Sequence, residues 1–163
     1  MKLATLRNET PDGQLVVVAS DHRRCLPADE VATNLLDAME RWSEVEAGLK
    51  SLAIRIEAED GGGHPFDDKA ALAPLPRSWQ WLDGSAFPQH GVLMQQAFNL
   101  PPIESTNPLM YQGMSDRFYG ASEDVPFSSE ADGIDFEGEF AVIVDHVPMG
   151  TRPDDAMAHI KLI

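Results

Sequence analysis

Hydrophobic and polar positions along the chain change period three times, and each change predicts a different element. The opening "KLATLR" and "QLVVVAS" are apolar runs either side of "NETPDGQ", whose Pro-Asp-Gly is a strong turn signal, so residues 2–20 read as a β-hairpin. From Asp29 to Glu59 the apolar positions Val31, Leu35, Met39, Trp42, Val45, Leu49, Leu52 and Ile56 recur every three or four residues. That stripe is helical, as one long helix or two consecutive ones. "DGGGHPF", residues 60–66, then breaks regular structure.

The Pro-punctuated "APLPRSW", residues 73–79, marks a domain boundary. The division expected is a small N-terminal α+β domain over 1–75 and a second domain over 76–163. Pro88 and Pro101 bracket a helix of roughly three turns. Residues 100–129 are rich in Pro, Gly, Asp and Ser and read as a long loop with a short strand at "PLMYQG". A strand is expected over 133–145, its apolar residues interleaved with acids in "DFEGEF". Thr151, with Asp154 three residues on, predicts a final helix that carries His159. The chain stops on Ile160, Leu162 and Ile163 with no polar tail, which predicts a truncated chain.

Composition narrows the function classes. Twelve basic against 27 acidic residues give a formal charge of −15, which disfavours nucleic acid and anionic membranes as partners. No apolar run approaches the ~20 residues of a membrane span. "MKLATLRNET" has no apolar signal core, and Cys25 is the single cysteine, so a reducing cytoplasm is expected.

The acids matter by placement. On a strand, Asp135, Glu137 and Glu139 would share one face with no Lys or Arg among them. Desolvating such a row costs several kcal/mol per ion unless a cation sits between them. Mg²⁺ or Ca²⁺ suits carboxylate oxygens; the alternative is a solvated strand face. In "DGSAFPQH", Asp83 precedes the helix and His90 lies about one turn in, on a face with Phe87, Met94 and Ala97, hence partly covered. Histidine titrates near neutrality and serves as a general base; a hydrogen-bonded structural role is the alternative. Asp83 is equally readable as an Asp-Gly turn residue. His64, His146 and His159 have no second ligand at useful spacing, and Cys25 lacks a sequence context for a nucleophile, so all four read as structural or incidental.

"PLPRSWQWLDGSAF" with "QH", then "NPLMYQG", then "GIDFEGEFAVIVDHVPMG" together resemble the first half of a bacterial fumarylacetoacetate hydrolase family enzyme. The opening residues are similar to that group's small N-terminal domain. The resemblance implies a mixed β-sandwich roll, here incomplete, and a divalent metal, Mg²⁺ or Ca²⁺ with Mn²⁺ as an alternative. Its metal ligands would be Asp83, Glu137 and Glu139, its catalytic base His90, and its substrate-binding tyrosine Tyr111. Asp135 receives no ligand role. The implied reaction is hydrolysis of a C–C bond in a β-diketo acid, such as fumarylacetoacetate or an acylpyruvate, within aromatic-compound catabolism such as tyrosine degradation. A homodimer is implied for the complete enzyme. The family's fourth carboxylate ligand, a substrate-binding Lys and the acid partnering the base fall C-terminal to Ile163, so the 163 residues alone are expected to be inactive. Decarboxylation or isomerisation on the same scaffold, and a non-catalytic acidic interaction module, are the competing readings.

Overall fold

The computed structural model describes residues 1–102 and 107–163. The hairpin forms as the turn signal predicts: β1 (Lys2–Leu6) pairs antiparallel with β2 (Gln14–Val18), from Lys2↔Val18 to Leu6↔Gln14. Gly13 makes the turn possible, because it sits at φ +65° and a Cβ there would lie 2.6 Å from the Leu6 carbonyl oxygen. β3 (Arg24–Pro27) adds to β2 on its other side. α1 (Leu35–Glu40) and α2 (Trp42–Glu57) follow, so the stripe resolves into two helices. Asn34 caps α1 by accepting from the Asp37 N–H at 2.8 Å. β4 (His64–Pro65) completes the sheet in the order β1-β2-β3-β4. The "DGGGHPF" break is therefore partial, and its last residues lengthen the sheet.

Alternation along β2 divides its side chains between two clusters. Leu15 and Val17 join Leu26, Leu35, Met39, Trp42, Val45, Leu49 and Ile56 in the main core, while Val16 and Val18 pack with Cys25. Burial raises the Cys25 thiol pKa, as expected of an inert core residue. Leu49 is fully buried at the centre of α2. Leu49→Ala is therefore expected to lower unfolding free energy by about 3 kcal/mol in urea titration, and Ile54→Ala, on the exposed side of the same helix, by under ~0.5 kcal/mol.

The described residues fall into two compact units, Met1–Pro76 with Phe118–Ile163, and Arg77–Arg117. In the second, β5 (Leu82–Ser85) and β6 (Leu109–Gln112) form an antiparallel pair, with α3 (Pro88–Phe98) between them in sequence. Pro88 opens α3, and Asn99, at φ 51°, closes it by donating its N–H to the Gln95 and Gln96 carbonyls. Residues 103–106 of the expected loop lie outside the described residues.

In the first unit the C-terminal stretch departs from expectation. β7 is only Ile143–Val144, and residues 134–142 have no regular structure. α4 (Pro153–Ala156) is a single turn, followed by a 3-10 turn and β8 (Ile160–Leu162). The helix predicted to carry His159 is corrected accordingly: Thr151 does not cap it but donates its hydroxyl to the Pro148 carbonyl, closing the preceding turn. The register Ile143↔Leu162 leaves residues 134–142 nothing opposite them on β8. A strand without a partner leaves its backbone groups to water, so the alternating pattern has no ladder to join. Phe136 and Phe140, expected on a buried face, are 93% and 100% exposed. Ile143 and Leu162 do pack against the main core. Among the described residues no helix is long and apolar enough to cross a membrane.

Candidate functional site

The β5–β6 register sets Asp83 directly opposite Tyr111. Opposed residues on an antiparallel pair share a face, with Cβ atoms typically ~4.5–5.5 Å apart. Asp83 is thus a strand residue rather than a turn residue. Tyr111 remains 59% exposed. Two residues before Asp83, Trp81 meets Tyr111 edge-to-face, the ring centroids 5.8 Å apart and the planes at 87°. Beyond Tyr111, the Gly113 N–H donates to the Trp81 carbonyl at 3.2 Å and continues the ladder.

His90 is the third residue of α3. It is exposed, and α3 has no buried residue at all, which corrects the expectation that the Phe87–Met94 face shields it. Helical periodicity defines an apolar face but does not supply the surface that covers it.

Glu137 and Glu139 lie in the irregular stretch of the first unit, both exposed. Asp135 is committed locally, its carboxylate accepting the Phe136 N–H at 2.8 Å. Among the described residues no three His, Cys, Asp or Glu side chains gather as a metal-holding group. The expected row of three carboxylates on one strand face is therefore absent. Taken singly, Asp83, Glu137 and Glu139 each offer carboxylate oxygens, the donor type that a hard divalent cation takes.

One cluster is not visible in the sequence spacing. Asp145, just after β7, accepts from His159 Nδ1 at 2.6 Å and from Lys161 Nζ at 3.0 Å, while its N–H donates to the His159 carbonyl at 3.1 Å. Burial pushes the Asp145 carboxyl up, but the hydrogen bonds from His159 and Lys161 outweigh it and hold the group below its ordinary pKa. His159, read as incidental, therefore ties β7 to β8. Its partner lies fourteen residues away, and only the hairpin register brings the two together.

Residues 1–77 match the family described as fumarylacetoacetase N-terminal domain 2, and residues 80–163 match the one described as fumarylacetoacetate (FAA) hydrolase C-terminal. No curated protein matches the chain.

Proposed function

Since the chain belongs to the fumarylacetoacetate hydrolase family, we propose that it is a metal-dependent hydrolase cleaving a C–C bond of a β-diketo acid, fumarylacetoacetate or an acylpyruvate. The observation that carries this reading is the register that sets Asp83 opposite Tyr111, an acid and a phenol on one face of one hairpin. Asp83, Glu137 and Glu139 are assigned as ligands of a divalent cation, Mg²⁺ or Ca²⁺, with Mn²⁺ able to substitute. When bound, such a cation supplies a Lewis acid for the oxygens of an enolate.

The chain's own residues do the rest. The Tyr111 hydroxyl orients the diketo acid by hydrogen bonding to one of its oxygens. His90 takes a proton from water, and the resulting hydroxide attacks the carbonyl next to the scissile bond. Collapse of the tetrahedral adduct breaks the C–C bond. Its electron pair leaves as an enolate, which accepts a proton to give the second product; with fumarylacetoacetate the pair is fumarate and acetoacetate. Residues 1–75 are assigned to a small N-terminal domain, and 76–163 to part of a catalytic domain of the β-sandwich-roll type. A cytoplasmic homodimer completes the proposal.

The test is an assay on the protein purified from its native cells, with acetylpyruvate and fumarylacetoacetate as substrates. Loss of the enol absorbance is expected with Mg²⁺, abolished by EDTA and restored by added Mg²⁺. Cleavage indifferent to the chelator would remove the metal from the proposal; no cleavage of either acid would remove the reaction.

A further inference from the structure

Tyr111 is half-exposed on a two-stranded hairpin, a setting in which a phenol ring is free to rotate about its side-chain bonds unless a neighbour restrains it. The neighbour here is Trp81. Trp81, Asp83, Tyr111 and Gly113 occupy the same face, since they are two apart along each strand and opposed across the pair. The Trp81 indole meets the Tyr111 ring edge-on at a 5.8 Å centroid distance, the arrangement that the ring quadrupoles favour. It reaches that position by lying over Gly113: a Cβ at residue 113 would stand 2.1 Å from two carbons of the indole ring and 3.1 Å from a carbon of the Tyr111 ring. Gly113 is not among the glycines at positive φ, so lack of a side chain, rather than backbone freedom, is what the position uses.

We propose that Trp81 is a positioning residue for Tyr111. Its indole, seated on Gly113, fixes the phenol ring on the face that carries Asp83 and so aims the hydroxyl at an oxygen of the bound dicarbonyl acid. The identity of that ligand rests on the hydrolase reading; the ring pairing does not.

Two readouts keep these separable. Incorporating 3-fluorotyrosine gives residue 111 its own ¹⁹F resonance, assigned by its loss in Tyr111→Phe. Trp81→Leu and Gly113→Ala are both expected to move that resonance, the first by removing the indole and the second by displacing it. With acetylpyruvate and Mg²⁺, both variants are expected to raise KM roughly 3- to 10-fold with kcat within about twofold. Trp81→Phe should restore most of the loss, which a merely misfolded hairpin would not show. The Trp81→Leu/Tyr111→Phe double variant should be little worse than Tyr111→Phe alone, because the indole acts through the phenol. An unmoved resonance in Trp81→Leu overturns the proposal, as does a double variant whose KM is the product of the single effects. If the unaltered protein cleaves neither acetylpyruvate nor fumarylacetoacetate, the hydrolase reading falls, and the ¹⁹F comparison still decides whether Trp81 holds Tyr111.

Discussion

Exchanging both Glu137 and Glu139 for Gln is expected to weaken Mn²⁺ or Mg²⁺ binding by about 100-fold or more, measured by titration calorimetry on the natively expressed protein. Two of the three assigned ligands would lose their charge, and a hard cation takes its affinity from charged oxygen donors. The local structure makes the experiment clean. Both side chains are exposed on a stretch without regular structure, and glutamine keeps the shape of glutamate, so stability should stay within about ±0.5 kcal/mol. Loss of affinity would then report ligation rather than unfolding. Asp135→Asn is the control: that carboxylate accepts its neighbour's N–H and has no assigned ligand role, so affinity should hold. In the unaltered protein, binding should also weaken as pH falls, because carboxylate ligands must be deprotonated. Unchanged affinity in the double variant would sink the ligand assignment and favour a non-catalytic acidic module.

What the sequence made legible was whatever depends on near neighbours. Pro-Asp-Gly sets a turn by its own backbone preferences, and β1 and β2 follow from it. The stripe from Val31 to Ile56 needs only a 3.6-residue period, and Pro88 starts α3 because its missing N–H costs nothing at a helix's first position. Features that depend on distant partners were not legible. "DFEGEF" alternates as a strand does, yet a strand exists only if another lies beside it, and β8 reaches no further back than Ile143. The pairing of Asp83 with Tyr111 spans 28 residues, and that of Asp145 with His159 spans fourteen; neither follows from composition or period. The residues proposed for the site were chosen by motif, which specifies residue types and order. Which of them share a face is a matter of register, and that came from the fold.

Replacing His90 with Gln should separate catalysis from binding most sharply. A general base contributes about 10²- to 10⁴-fold to rate, so kcat on acetylpyruvate should fall by that factor. KM should change less than about threefold, since the imidazole acts on water and Tyr111 is the residue assigned to hold the substrate. His90 is exposed near the start of α3, where glutamine is a good helix former, so the substitution should leave the fold intact. Added imidazole should recover part of the lost rate if the missing function is proton removal, because a small base can occupy the space the ring vacates. A parallel fall in kcat and rise in KM without imidazole rescue would place His90 in substrate contact instead. Full retention of kcat would mean that water is activated by another group, and the base assignment would then have to move off α3 altogether.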